Sequence, residues 1–327
     1  MNIWERFGTL APAEDAAWPA LRLYSAESHY LAKGTAGEPV FLLKVQRRRV
    51  PRVPLSLRHV QVEFEVDCAV RDPDDADGGT VSATFCRVVC DLAAPGLHPL
   101  FVNALAGAVE GLPPALSPAE TDRFFDDAVE LFRLFAAPAR NSVLGLWGEL
   151  FVIAASPFPD ALVTGWHVSP EQTFDFVFPT VRLEVKTTAR GSRQHEFALA
   201  QLRAPQLPVY VASLMVEQGD AGDSVFDLAN AIQDGLSSPN RAKLWRLLAQ
   251  SLGGEADGAA QVRFIQTSAR NSLRFYDAAE LPAPEIPAVA GGCISAVRFS
   301  LDIDRALPLQ DVPPATVWLA TASSIVR

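Results

Sequence analysis

The chain has 327 residues, enough for two or three domains with sizeable cores. Its 49% hydrophobic and 20% charged residues exclude wholesale disorder, and no apolar run reaches the roughly eighteen residues that a membrane span needs. A formal charge of −10 excludes nucleic-acid binding driven by bulk charge alone, but it leaves room for a local basic groove. Four cysteines follow no framework spacing, and Met1-Asn2-Ile3-Trp4-Glu5-Arg6 lacks a basic segment followed by an apolar one. A reduced, cytoplasmic protein without a secretion signal is therefore expected.

Residues 1–115 read as a β-rich N-terminal domain. Tyr30 to Lys33 leads through Gly34, Gly37 and Pro39 to Val40–Val45, a strand–turn–strand signal. Val60 to Val66 alternates strictly and predicts a half-buried strand. The turn-rich stretch from Asp72 to Gly79 then precedes another strand, Thr80 to Cys90. Cys86 and Cys90 fall on one strand face with no second pair to complete a zinc site, so both read as core.

The period changes at Ser117, where a second domain of residues 116–217 is expected. Ser117-Pro118-Ala119-Glu120 predicts an N-cap, a first-turn proline and a capping box, with Phe124, Phe125, Val129, Phe132 and Phe135 following at helical spacing. A second helix is predicted from Ser142 to about Ala155, carrying Leu146, Trp147, Leu150 and Phe151 with Glu149 among them. His195 to Leu202 reads as a strand entry or a short helix, and Leu207 to Val216 as a strand buried in a sheet. Helix, hairpin, connection and buried strand in that order predict helices packed on a mixed sheet.

Residues 218–327 read as a C-terminal α/β extension. Phe226, Leu228, Ile232 and Leu236, then Leu244, Trp245, Leu247, Leu248 and Leu252, recur at helical spacing. Val262–Ile265, Arg274–Tyr276 and Ile294–Leu301 read as short strands.

The stretch that carries chemistry is Phe174 to Thr187, which reads as a β-hairpin about Pro179-Thr180. Phe174, Phe176, Phe178, Val181, Leu183 and Val185 form one apolar face; Asp175, Val177, Arg182, Glu184 and Lys186 form the other. With Phe178 opposite Val181, Asp175 falls directly opposite Glu184. Like charges so paired, with Cβ atoms about 5 Å apart, are unfavourable unless something compensates. A divalent cation and the Lys186 ammonium on the same face are the natural candidates. The chain has no dinucleotide or phosphate-binding glycine motif and no nucleophile elbow to compete with this reading.

Asp175, then Glu184-Val185-Lys186 on the next strand, resembles the PD-(D/E)XK nuclease superfamily. With Gly145-Leu146-Trp147-Gly148-Glu149-Leu150 and Trp166 upstream, the chain resembles a bacterial family of roughly this length assigned to that superfamily. One departure is Phe174, which stands where the motif has proline. The resemblance implies an α+β or α/β fold with a restriction-endonuclease-like core, a mixed sheet flanked by helices. It implies metal-dependent cleavage of DNA within a restriction or phage-defence system, with other subunits of such a system as partners and an oligomer as a possible state. Asp175 and Glu184 would bind Mg²⁺ (or Mn²⁺), and Lys186 would orient the attacking water or stabilise the pentavalent phosphorus. Glu149 would be the accessory acid, itself a metal ligand. Arg190, Arg193 and His195 follow the site immediately and are expected as phosphate contacts.

Plainer readings stand beside these. Glu184-Val185-Lys186 alone is a common solvated strand face, and Glu149 could be the polar edge of an amphipathic helix. Gln201 reads as a helix-surface amide, His195 as a structural or surface histidine rather than a base, Trp147 and Trp166 as core, and Arg47 to Arg49 as either a DNA-facing loop or a solvated hairpin tip. The rival function is a catalytically silent nucleic-acid-binding or assembly subunit. RNA or modified DNA is the alternative substrate.

Overall fold

The computed structural model describes residues 2–13, 17–23, 26–72, 79–169, 172–203, 207–286 and 296–310. The chain divides into two compact units, Met1–Arg140 with Arg241–Ala260, and Asn141–Asn240 with Gln261–Arg327.

The first unit opens with α1 (Ile3–Thr9), where the Asn2 side chain accepts the Glu5 N–H and the Glu5 carboxylate accepts the Asn2 N–H. Strands β1 (Trp18–Leu23), β2 (Ala26–Lys33), β3 (Pro39–Lys44), β4 (Leu55–Ser56), β5 (Val60–Arg71) and β6 (Thr80–Cys90) follow. They form one sheet in the order β1-β2-β3-β6-β5-β4. β1 also pairs in parallel with β5 at Trp18–Val70, so the sheet curls back on itself. β5 runs beyond the stretch expected from alternation, because a bulge between Glu63 and Val66 lets it continue in a shifted register with Glu65 in the left-handed region at φ 58°. Cys86 and Cys90 are buried in this sheet, and desolvation pushes both thiols up to about 12. The turn expected over Asp72 to Gly79 lies largely outside the described residues.

Two helices complete this part, α2 (His98–Val109) and α3 (Pro118–Leu134), the latter with the expected capping box at Ser117 and Glu120. The change of period at Ser117 does not mark a domain boundary at residue 116, because α3 belongs with the first unit. Its apolar face is spent there: Phe125 meets the Phe64 ring edge-on at 5.0 Å, and Phe132 lies 6.4 Å from Phe101.

The second unit begins with α4 (Val143–Ala155), whose Gly145 N–H is accepted by the Ser142 hydroxyl, and α5 (Pro159–Gly165). Then come β7 (Phe176–Val177), β8 (Arg182–Thr188), β9 (Gln194–Ala198), α6 (Leu199–Leu202), β10 (Val209–Met215), β11 (Gln218–Asp223) and α7 (Val225–Gln233). The stretch read as strand entry or short helix is thus both, β9 running directly into α6. Most of α8 (Ser238–Leu252) and α9 (Ala256–Gln261) rejoin the first unit, where Arg241 pairs with Glu110 at 3.0 Å. α10 (Gln266–Ser272), β12 (Arg274–Asp277) and β13 (Arg298–Asp302) return to the second.

The central sheet of this unit has the order β12-β10-β8-β7. β8 and β10 are parallel, while β7 and β12 are antiparallel to their neighbours, so the sheet is mixed as expected. Residues 218–327 therefore do not stand apart as an extension: β12 is the edge strand beside β10, and β13 pairs with β9. Val262 to Ile265 forms no strand. Only Phe264 bridges, to Gln218 and to Asp223, with its ring 5.4 Å from that of Trp147.

Candidate active site

The hairpin pairs Phe176 with Leu183 and Val177 with Arg182, and the Phe178 N–H bonds the Val181 carbonyl at 3.0 Å. One more step along the same register sets Asp175 level with Glu184. Phe176, Phe178, Val181, Leu183 and Val185 are buried on one face, leaving Asp175, Arg182, Glu184 and Lys186 on the other. β7 is short for a local reason. The Val185 N–H, which a continued ladder would give to Phe174, goes instead to Asp175 Oδ2 at 2.7 Å.

α4 brings Glu149 to this face because Gly148 lets it approach β8 closely. A Cβ at Gly148 would lie 1.8 Å from Thr187 Oγ1. Glu149 is only 6% exposed. Its Oε2 accepts the Trp166 indole N–H at 2.7 Å and lies 2.8 Å from His167 Nε2. Trp166 forms an antiparallel bridge with Phe176, and the His167 N–H donates to the Asp175 carbonyl at 2.9 Å. The chain leaving α5 is thereby fastened beside β7.

Three carboxylates now share a poorly solvated place. Burial first, then the charges of Glu184 and Glu149, hold the Asp175 carboxyl well above the usual aspartate range. Burial also raises Glu184, against the opposing pull of Lys186. Glu184 Oε1 takes the Lys186 ammonium at 2.7 Å and the Gln201 amide N–H at 2.5 Å. Its Oε2 is buried without a hydrogen-bond partner among the described residues. Lys186 Nζ also lies 5.0 Å from the centre of the Phe197 ring. Ligand atoms of Glu149, His167 and Asp175 all fall within 4.8 Å of one another. A buried lone pair with no donor, beside carboxylates that repel one another, is what a hard cation would relieve. The donor set fits such an ion.

Four residues singled out from the sequence, Glu149, Asp175, Glu184 and Lys186, are thus brought together. Arg190 follows β8 and is exposed. Arg193 and His195 correct the expectation of phosphate contacts, because both are 5% exposed and occupied internally. The Arg193 guanidinium donates to the Ser213 carbonyl and hydroxyl at 2.8 and 2.9 Å, bonds the Ser272 carbonyl, and faces Asp304. His195 Nε2 meets Ser213 Oγ at 2.8 Å, and burial takes its imidazole down to about 4. Gln201 is no surface amide: it bridges Glu184 and the Ala198 N–H, which its Oε1 accepts at 2.9 Å. Trp147 and Trp166 are fully buried as expected, but each indole N–H is committed, Trp147 to the Asp223 carbonyl and Trp166 to Glu149. His167 had no sequence signal beyond its place after Trp166.

No curated protein and no solved structure matches the chain. The sequence model of the family described as "Putative PD-(D/E)XK family member (DUF4420)" matches residues 3–304, nearly the whole chain. The chain belongs to that family.

Proposed function

We propose that the protein is a metal-dependent nuclease that hydrolyses DNA phosphodiester bonds, acting in a restriction or phage-defence setting. The observation that carries this reading is the convergence of Asp175, Glu184 and Glu149 with Lys186, in which Glu184 Oε2 is buried and unpartnered. A divalent cation held by these carboxylates supplies a bound water of lowered pKa and positive charge for the phosphate oxygens. The residues do the rest. Asp175 and Glu184 bind from adjacent strands, and Glu149 binds from α4, its carboxylate fixed by Trp166. Lys186 places a point charge where the attacked phosphate develops negative charge, and Gln201 holds Glu184 at the angle that keeps Oε2 free. Arg190 is the proposed phosphate contact of the three basic residues after the hairpin, since it alone is exposed.

The test is plasmid cleavage by the full-length protein with Mg²⁺ or Mn²⁺. Asp175→Ala and Lys186→Ala should each lower the rate by at least about a hundredfold, with the circular dichroism spectrum unchanged. Undiminished cleavage by either variant would sink the assignment. Wild-type protein that binds DNA but leaves it intact would point to the silent-scaffold rival.

A further inference from the structure

His167 stands at the centre of a second question, which rests on the metal-site reading above. Its backbone has φ 39°, one of two described non-glycine residues in the left-handed region, and the other is explained by the bulge at Glu65. Such a conformation persists only where the surroundings impose it, and such residues cluster at functional sites. Here the bonds on both sides impose it. Trp166 is held by its N–H to the Val163 carbonyl and by its bridge to Phe176, and the His167 N–H is held by Asp175. The result is an imidazole 24% exposed, directed at a carboxylate that is 8% exposed.

The geometry points to His167 as a nitrogen ligand of the metal, completing a Glu149–His167–Asp175 set and biasing the centre toward Mn²⁺ over Mg²⁺. Two ligands on one cation, each at about 2.1 Å, stand no more than about 4.2 Å apart. A cluster no wider than 4.8 Å therefore closes on an ion through shifts of a few tenths of an ångström. The unpartnered Glu184 Oε2 is an independent sign that a cation belongs at this place. Mg²⁺ takes oxygen ligands and holds its waters, whereas imidazole nitrogen favours first-row transition ions, so one nitrogen among carboxylates tilts the choice. The partial exposure of the ring places this ligand on the solvent side, where an ion would enter.

The alternative role is a hydrogen-bond donor that only orients Glu149. His167→Asn separates the two. Asparagine tolerates left-handed backbone, and its amide can still donate to Glu149, but it carries no ring nitrogen. The probes are Mn²⁺ and Mg²⁺ alone, with pulsed electron paramagnetic resonance for ¹⁴N coupling to bound Mn²⁺ and calorimetry for affinity. The wild type should show directly bound ¹⁴N that His167→Asn abolishes. Mn²⁺ affinity should fall about 10–100-fold while Mg²⁺ affinity falls far less. Bound Mn²⁺ without ¹⁴N coupling, or equal losses for the two ions, would overturn the inference and leave the nuclease reading standing. A ¹⁴N signal in a protein that cuts no DNA would do the reverse, and failure to bind Mn²⁺ at all would remove both.

Discussion

Asp175 shows what the site costs the metal-free protein. Its carboxyl is raised by burial and by two like charges, while the backbone N–H of Val185 and the charge of Lys186 work in the other direction. The folded chain therefore keeps a proton that the unfolded chain has already lost. Stability contributed by this group is greatest at low pH and falls as pH rises from the ordinary aspartate range through the raised folded value. Asp175→Asn removes the charge and keeps an oxygen for Val185. It should stabilise the metal-free protein by roughly 0.5–2 kcal/mol while abolishing cleavage. Its advantage over wild type should grow as pH rises above the ordinary aspartate range, as read by thermal unfolding in chelator. A difference that stayed constant as pH rose would show that the carboxyl is not perturbed as described. Neighbouring residues differ in how far the sequence revealed them. The alternation Gln194, His195, Glu196, Phe197 is exposed, buried, exposed, buried, so His195 shares the inner face with Phe197, in keeping with the plainer reading of it as a structural histidine. Nothing comparable marked His167, whose role depends on a bridge between Trp166 and Phe176 that spans a loop.

At the level of elements, the site is a helix laid unusually close to a strand. Gly148 faces Thr187, and any rotamer of the threonine keeps its Cβ 3.0 Å from where a methyl group would sit. Gly148→Ala should therefore push α4 away from β8 and take Glu149 with it, costing about 1–3 kcal/mol of stability and weakening metal binding. Thr187→Ala by itself should be nearly neutral, since Thr187 Oγ1 is buried without a partner among the described residues. In the double variant the 1.8 Å clash with Oγ1 is gone while the 3.0 Å approach to Cβ remains. Part of the penalty should therefore vanish, and a double-mutant cycle of unfolding free energies measures that coupling. Strict additivity would show that the close approach is not what fixes α4. The elements themselves were largely legible. Serine caps at Ser117 and Ser142 started α3 and α4, and period-two patterning gave the hairpin its register, because these signals are local. The Gly148–Thr187 approach was not legible, since it joins two elements whose distance only tertiary packing sets.

For the whole molecule the question is where an anionic chain of net charge −10 would meet the anionic polymer proposed as its substrate. The sequence shows two concentrations of basic residues, and the structure treats them differently. Of the run between Lys44 and Arg58, Arg47 is paired with Asp67, Arg48 donates to the Pro118 carbonyl and Asp122, and Arg52 joins Asp122 while lying over the Phe64 ring. These three arginines are engaged with partners inside the first unit. In the second concentration Arg193 is buried, whereas the Arg190 side chain is exposed directly after the strand that carries Glu184 and Lys186. Counting positive charges along the sequence could not separate these cases, because their partners lie tens of residues away. The two classes should behave oppositely in solution. Removing one cationic side chain that neutralises a phosphate lowers the slope of log affinity against log salt by about 0.9 for duplex DNA. Arg190→Ala should reduce the slope by about that amount and leave the melting temperature unchanged. Arg48→Ala should lower the melting temperature, because the Pro118 carbonyl would lose this donor and Asp122 would keep only Arg52, and leave the slope as it was. Fluorescence anisotropy across a salt series, in chelator so that no strand is cut, measures the first; thermal unfolding measures the second. If Arg190→Ala bound DNA with an unchanged slope, the backbone would have to cross the protein away from the end of β8, and the proposed path of the substrate would be wrong.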